Sequence, residues 1–248
     1  MEVNKSWVNI LGKTSNPRVV WIVDRIARKI VFNISDFGFG EDDQIVHFSR
    51  GTFSNVSAYL ERRKPEYGSV TAIVFLFMGM DEIAVDVPAD QTDRGEESRF
   101  HPLGPRQIPA DADAAEVVAR FSRLIGDALQ LFPSASIFST NPAPRRSSGF
   151  AVARATYVTK KLRKVGERHH HFSLLKNFHG KLYRTAGNRP GGRLPIREEF
   201  MEENGIELKK GALTGVIVKA RMVVNAVLKI KGCRLTDPNT IHDVKMFF

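Results

Sequence analysis

The 248-residue chain is 42% hydrophobic, which is ample for the core of one globular domain. Its single cysteine, Cys233, excludes an internal disulfide and a cysteine-based zinc site, which favours a cytoplasmic or nuclear location. The formal net charge is +10, and residues 145–221 hold 18 Lys and Arg against 6 Asp and Glu. A segment with this excess indicates a polyanionic partner, of which nucleic acid is the commonest.

Short apolar runs alternate with amphipathic stretches along the chain. The predicted strands span residues 18–23, 44–48, 70–78, 135–139 and 170–175. The predicted helices span residues 24–33, 54–64, 114–131, 151–165 and 211–231. Strands that alternate with helices in this way predict an α/β three-layer sandwich, in which helices cover both faces of a central parallel sheet.

The predicted domain spans residues 18–232, between an N-terminal extension (1–17) and a C-terminal tail (233–248). Residues 87–113 are rich in Pro, Gly, Asp and Gln and have little periodicity, so we expect a long loop or insertion there. No apolar run is long enough to span a bilayer and the first residues lack a signal-peptide pattern, so no membrane association is expected.

Several conspicuous residues follow the predicted strands. In a parallel sheet the carboxyl ends of the strands form one rim, where functional residues lie. This places Asp24 and Arg25, Gly51, and residues 79–82 and 141–146 along the same edge.

These rim segments resemble the sequence blocks of the SGNH (GDSL) hydrolases. The resemblance rests on VVWIVDRIAR (19–28), the glycine in FSRGTF (48–53), MGMDEI (78–83) and NGIEL (204–208), in the family's order. It implies the flavodoxin-like SGNH-hydrolase fold. In the family these blocks hold a nucleophilic serine, a glycine, an oxyanion-hole asparagine, an aspartate and a histidine, and the corresponding residues here are Arg25, Gly51, Asp81, Asn204 and Glu207.

The residues at these positions cannot perform the family's reaction. A guanidinium does not attack a carbonyl, Asp81 offers an acceptor where an oxyanion needs a donor, and Asn204 lacks the charge that orients a histidine. The sequence therefore predicts a non-catalytic domain that is not an enzyme, with no catalytic residue, metal or cofactor.

Two clusters of polar residues leave alternatives open. Asp24, Asp81, Glu82 and Glu207 can neutralise Arg25 in an ion-pair network, which we favour, or bind a divalent metal. The run His169–His171 could suggest a metal site, but adjacent strand residues alternate between faces, so we expect partly exposed strand residues instead.

The basic segment carries the functional hypothesis. In combining a degenerate catalytic site with a basic surface, the chain resembles the SGNH-like domain of the germ-plasm organiser Oskar, which binds RNA. In its ancestry it resembles the esterase-like domains of retroelements. We expect an RNA-binding domain, in the cytoplasm (including ribonucleoprotein granules) or the nucleus, with phosphate contacts at Arg145, Arg146, Lys160, Lys161, Arg163, Lys164, Arg168, Lys209 and Lys210. The alternatives are a protein-interaction scaffold that docks through the apolar tail 244–248, and a hydrolase of altered chemistry.

Overall fold

The computed structural model describes residues 8–12, 17–32, 34–49, 51–79, 82, 110–142, 149–175, 183–185, 193–196, 198–203 and 207–234. Eight strands are formed within these ranges. They are β1 (Val8–Leu11), β2 (Val19–Val23), β3 (Asp43–Phe48), β4 (Ala72–Leu76), β5 (Ser136–Ser139), β6 (Phe172–Leu174), β7 (Tyr183–Thr185) and β8 (Arg193–Ile196).

Six of the strands form a central sheet in the order β1-β3-β2-β4-β5-β6. The pairs from β3 to β6 are parallel, and β1 is antiparallel to β3 at one edge. The inner strands β2 and β4 are buried along their whole length, as expected for apolar strands covered on both faces. The structure therefore confirms the predicted α/β sandwich with a mostly parallel sheet.

In the part of the chain that the structure describes, we distinguish four α-helices and three 3₁₀ segments around the sheet. The helices are α1 (Phe53–Arg63), α2 (Ala110–Leu131), α3 (Gly149–Arg168) and α4 (Lys210–Arg234), and the 3₁₀ segments are Arg25–Val31, Ile34–Phe37 and Glu198–Phe200. On one face of the sheet, α1, α2 and α3 bury Val56, Phe121 and Leu162. On the other face, the first two 3₁₀ segments and α4 bury Ile26, Phe37 and Ile217. The two layers place α3 and α4 on opposite sides of the sheet.

Several predicted boundaries are corrected by the structure. The segment read as an N-terminal extension contributes β1, because Val8 and Ile10 pack against the core. The short helix predicted over residues 24–33 is present as a 3₁₀ helix over Arg25–Val31, whereas α2 begins within the predicted loop at Ala110 and β6 begins only at Phe172. The hairpin of β7 and β8 was not predicted. The rest of the predicted loop, residues 87–109, and the tail after Arg234 lie outside the described residues.

Helix α4 contains a long apolar stretch. Residues Lys210–Lys229 are long and apolar enough to cross a membrane by length and composition. Its inner side, however, packs Leu213, Ile217 and Val224 into the core, while Val218 and Met222 are exposed on the outer side. Because only 28% of this stretch is buried, α4 packs on the sheet along one side and leaves apolar side chains uncovered on the other.

Candidate functional site

The strand order creates a crevice between the ends of β2 and β4. The chain leaves β2 toward β3 on one side and returns to β4 on the other, so the order reverses at this point. Open parallel sheets bind ligands in such a crevice, outside the carboxyl ends of the strands. Here the crevice is bounded by Asp24 and Arg25 after β2 and by residues 77–79 after β4. The rim predicted from the sequence therefore coincides with the position where the fold would bind a ligand.

Asp24 connects the two sides of this crevice through hydrogen bonds. Its Oδ1 accepts a hydrogen bond from the Arg25 N–H at 2.6 Å, and its Oδ2 accepts one from the Gly79 N–H at 3.1 Å. The carboxylate has no exposed surface. A side chain at Gly79 is excluded, because the backbone has a φ of +98° and an added Cβ would lie 2.7 Å from Phe53 Cζ.

A second connection crosses the rim between β4 and β5. The Thr140 hydroxyl accepts a hydrogen bond from the Phe77 N–H at 2.7 Å. Phe77 has a φ of 62°, a left-handed conformation that is costly for a bulky side chain and that is concentrated at functional sites. Beside Thr140, the buried Asn141 has an Oδ1 without a hydrogen-bond partner among the described residues. The sequence analysis placed Asn141 on the rim and missed Thr140, although a polar residue directly after a buried strand is a usable signal.

Gly51 occupies a position where only glycine fits. A Cβ there would lie 2.9 Å from Phe48 Cβ and 3.2 Å from Met78 Cε. The loop can therefore approach β4 closely only because residue 51 has no side chain.

Glu82 binds the N-terminus of α1. Its Oε1 accepts a hydrogen bond from the Phe53 N–H, the first of the helix, at 3.0 Å. Its Oε2 lies 2.8 Å from Arg120 NH1 of α2, and the side chain is 5% exposed. A carboxylate at a helix N-terminus is favoured by the helix dipole. Glu82 therefore links α1 to α2 and does not join a cluster around Arg25.

Glu207, at the family's histidine position, pairs with an arginine that the sequence analysis did not consider. Its Oε1 lies 3.3 Å from Arg28 NH1, and its side chain is 8% exposed. Arg28 also lies over the ring of Phe32 at 5.7 Å from the centroid. Because the Arg28 end of this pair is half solvated, the pair contributes modestly to stability.

Arg25, Asp81 and Asn204 are the other residues at the family's catalytic positions. Arg25 is half-buried at the start of the first 3₁₀ segment. Asp81 and Asn204 lie outside the described residues, so the predicted ion-pair network around Arg25 stays a prediction where it involves them. Within the described ranges, no three His, Cys, Asp or Glu side chains lie close enough together to hold a metal ion.

A buried histidine near the rim was also missed. His47 lies near the end of β3, beside Val23 of β2, and is 1% exposed. Its Nδ1 is 3.4 Å from Asn9 Nδ2, and its Nε2 has no hydrogen-bond partner among the described residues. Burial, together with the positive charge of Arg28, lowers the pKa of His47 to about 4. The imidazole is therefore neutral near pH 7. A histidine inside an apolar strand, QIVHF, was the available signal.

Helix α3 carries most of the predicted cationic contacts. Lys160, Arg163, Lys164 and Arg168 are exposed, and Lys161 is half-buried with its Nζ 5.1 Å from the centre of the Tyr157 ring. The opposite side of α3 buries Ala155, Val158 and Leu162 in the core. The helix therefore has one apolar face and one basic face. Arg145 and Arg146 lie outside the described residues.

Lys209 and Lys210 belong to a different surface. They open α4, on the other side of the sheet from α3. Lys210 Nζ lies 2.5 Å from Asp36 Oδ2, so its charge is already balanced. The sheet therefore separates these two lysines from the α3 cations, and their predicted contact with RNA stays a prediction.

The histidine run lies in the turn after α3, so the prediction that it forms part of a strand is wrong. His169, His170 and His171 are exposed and lie in a turn, not a strand. The turn is held by the Phe172 N–H, which donates to the His169 carbonyl at 3.0 Å, and by the Ile137 N–H, which donates to the His171 carbonyl at 2.7 Å. Because Ile137 is near the start of β5, this end of α3 lies at the amino-end edge of the sheet, away from the Asp24 crevice.

No family model and no curated protein sequence matches the chain. Solved structures do resemble it. One is a Streptococcus pneumoniae protein described provisionally as a platelet activating factor, at a TM-score of 0.53 and 13% identity, which covers 83% of this chain and 84% of that one. Another is the C-terminal catalytic domain of the S. pneumoniae peptidoglycan O-acetyltransferase A, at 0.46 and 8%, over 86% and 97% of the two chains. A third is phospholipase A1 from Streptomyces albidoflavus, at 0.46 and 11%, over 84% and 99%.

The prediction that the chain is not an enzyme is corrected, because the chain shares its fold with a solved structure and a fold gives no ground for excluding catalysis. The prediction was wrong for a physical reason. The replacement of residues at four family positions argues only against one mechanism, that of a serine and a histidine. It does not consider the other hydroxyls and carboxylates at the rim, such as those of Thr140 and Asp24. With identities of 13% or less, the resemblance concerns the fold.

Strand order, the layers of helices and the resemblance to a solved structure over most of both chains agree with one another. The chain therefore has an SGNH-hydrolase-like fold, a three-layer α/β sandwich around a mostly parallel sheet.

Proposed function

We propose that the chain binds RNA through the exposed face of α3. The proposal rests on one observation: the cations of this face have no ion pair with a carboxylate within the part of the chain that the structure describes. Arg28, Arg120 and Lys210, in contrast, face Glu207, Glu82 and Asp36. Cations without a protein partner are available to phosphates.

The arrangement along the helix suits a backbone contact. Lys160, Lys164 and Arg168 are spaced four residues apart, so they follow one side of α3 at intervals of about 6 Å along the axis. Glu167 is the one acidic residue in the sequence of this helix. The helix has cations but no Asn or Gln in its sequence, which favours phosphate contacts over base contacts, and we expect little sequence preference.

Tyr157 adds an aromatic ring to the same face. It is half-buried one turn before Lys161, whose ammonium lies near the ring. An aromatic ring beside cations is the combination that single-stranded nucleic acid uses, because bases stack on the ring while phosphates contact the cations. This feature favours single-stranded over double-stranded RNA.

A matched pair of variants tests the proposal. Arg163→Ala with Lys164→Ala removes two adjacent exposed cations from α3, and Lys209→Ala with Lys210→Ala removes two from the other side of the sheet. Both double variants change the net charge equally. We expect the α3 variant to bind a labelled oligouridylate at least about tenfold more weakly than the parent and the α4 variant to bind within about twofold of it. Equal weakening by both variants would show general attraction to a basic protein and would refute the α3 site.

The protein-scaffold alternative stays a prediction. The apolar tail 244–248, on which it rests, lies outside the described residues.

A further inference from the structure

We propose that the outer side of α4 docks on an anionic membrane surface, with the helix lying along the bilayer. Three large apolar side chains are exposed among the described residues, and two of them, Val218 and Met222, are neighbours one turn apart on this helix. Val218 is 45% exposed and Met222 is 67% exposed. Apolar side chains that are exposed next to one another mark an interaction surface.

The outer side of α4 is a continuous line of exposed positions. The line consists of positions 211, 215, 218, 222, 225 and 229, which recur every three or four residues and therefore lie on one side of the helix. At a rise of about 1.5 Å per residue the line is about 27 Å long. A line of this length along a single helix suits a flat, extended partner.

Helix α4 is apolar on two sides. Leu213, Ile217 and Val224 pack into the core, yet only 28% of the apolar stretch Lys210–Lys229 is buried. A surface helix of a globular domain ordinarily carries polar residues on its outer side. The apolar residues on the outer side of α4 therefore indicate a second apolar environment. Because the inner side is held in the core, the helix lies on a membrane and does not cross it.

The charges on α4 favour an anionic partner. The sequence of this helix holds six Lys and Arg and no Asp or Glu. Lys219 lies beside the line and Lys229 at its end, and both are exposed without a carboxylate partner among the described residues. Lysines that border an apolar side are the combination with which interfacial helices bind anionic lipids.

Two carboxylates close to α4 are already paired. Asp36 contacts Lys210, and Asp43 Oδ2 lies 3.7 Å from Arg221 Nε. The same charges disfavour a second copy of the chain as the partner. Two α4 helices in contact would bring cations together without an acidic residue on either helix, and juxtaposed like charges are costly.

The sequence analysis expected no membrane association from the length of the apolar runs. A helix that lies on a bilayer needs no spanning run, since its apolar side enters only about 5 to 10 Å. The sheet separates α4 from α3, so docking through α4 leaves the basic face of α3 exposed to solution.

Flotation of the full chain with lipid vesicles tests the proposal. The vesicles are made of phosphatidylcholine, either alone or with about 30% phosphatidylserine, because anionic headgroups supply the attraction for lysines. We expect the chain to bind the mixed vesicles at least about tenfold more tightly than the neutral ones.

Three double variants identify the surface that binds. Val218→Ser with Met222→Gln removes the apolar contacts at constant charge, and we expect at least about tenfold weaker binding. Lys219→Gln with Lys229→Gln removes two charges and should weaken binding by a similar factor. Arg62→Gln with Lys64→Gln is the matched control, since it removes two exposed cations at the end of α1, on the other side of the sheet. The control should bind within about twofold of the parent.

All six substituted side chains are at least partly exposed, so each variant should fold, which circular dichroism verifies. A parent that stays unbound, or a variant lacking Val218 and Met222 that floats as well as the parent, overturns the proposal. Equal weakening by the α1 control and by the Lys219 and Lys229 variant also overturns it, because it would show a general attraction to a basic protein. Dimerisation of the parent that is lost with Val218 and Met222, without vesicle binding, would assign this surface to a second copy instead.

Discussion

The carboxylate of Asp24 accepts a hydrogen bond from the backbone N–H of Gly79 and so joins the ends of β2 and β4, 55 residues apart in sequence. The same carboxylate accepts the N–H of Arg25. We expect Asp24→Ala to lower the free energy of unfolding by about 2 to 4 kcal/mol, because the buried Gly79 N–H and the partly buried Arg25 N–H lose their acceptor. Asp24→Asn keeps one acceptor oxygen and should cost less. Urea denaturation measures both, and equal losses for the two variants would contradict this role.

Gly51 provides a test of close packing at the rim. Gly51→Ala places a methyl group 2.9 Å from Phe48 Cβ, so we expect a loss of about 1 to 3 kcal/mol in the free energy of unfolding. Gly68→Ala is the matched control, since nothing lies within 4 Å of its added Cβ. The control should stay within about 0.5 kcal/mol of the parent. Similar effects of both substitutions would argue against the described contact.

Glu82 should stabilise the domain by linking two helices. Glu82→Ala leaves the buried first N–H of α1 without its acceptor, at a cost of about 1 to 3 kcal/mol, and removes from the partly exposed Arg120 the nearer of its two carboxylates. Glu82→Gln retains an oxygen for the Phe53 N–H, so we expect a smaller loss. Thermal unfolding at several salt concentrations checks this, since the buried hydrogen bond to the Phe53 N–H loses little of its contribution when salt is added. A loss that vanishes in high salt would indicate an exposed pair instead.

Because His47 is buried, we predict that the free energy of unfolding decreases at acidic pH. In the unfolded chain an imidazole has a pKa of about 6.5, whereas burial lowers the pKa of His47 to about 4 in the folded chain. The unfolded state therefore takes up the proton first as the pH falls. The contribution to stability is complete above about pH 6.5 and is lost progressively toward about pH 4, by up to about 3 kcal/mol.

The variant His47→Gln isolates this contribution. It has no imidazole to protonate, so its stability relative to that of the parent should rise as the pH falls through this window. Chemical denaturation at successive pH values gives the difference. If the difference between parent and variant were constant from neutral to acidic pH, His47 would be protonated equally in both states and the burial argument would fail.

Much of the fold could be predicted from local sequence because the inner strands are short apolar runs. The run VVWIV forms β2, and IVFL lies within β4. The strand β1 was missed because its burial is only partial along its length, as suits an edge strand, and Asn9 interrupts its apolar pattern. The hairpin strands β7 and β8 were missed because they have three and four residues and no apolar run.

The site was only partly predictable. The rim position of Asp24, Gly51 and Gly79 follows from the parallel topology, which the alternation of elements indicated. The partner of Glu207 did not follow, because Arg28 is 179 residues away and its direction depends on the 3₁₀ geometry after β2. The separation of Lys209 from α3 likewise depends on which face of the sheet each helix covers, a property that local sequence does not encode.

The dependence of RNA affinity on salt tests the central claim most directly. For single-stranded RNA, the slope of log affinity against log salt falls by about 0.7 for each phosphate contact that is removed. We predict that Arg163→Ala with Lys164→Ala makes the slope shallower by about 1.4 while Lys209→Ala with Lys210→Ala leaves it unchanged. A slope identical to that of the parent in the folded α3 variant would contradict RNA binding at this face.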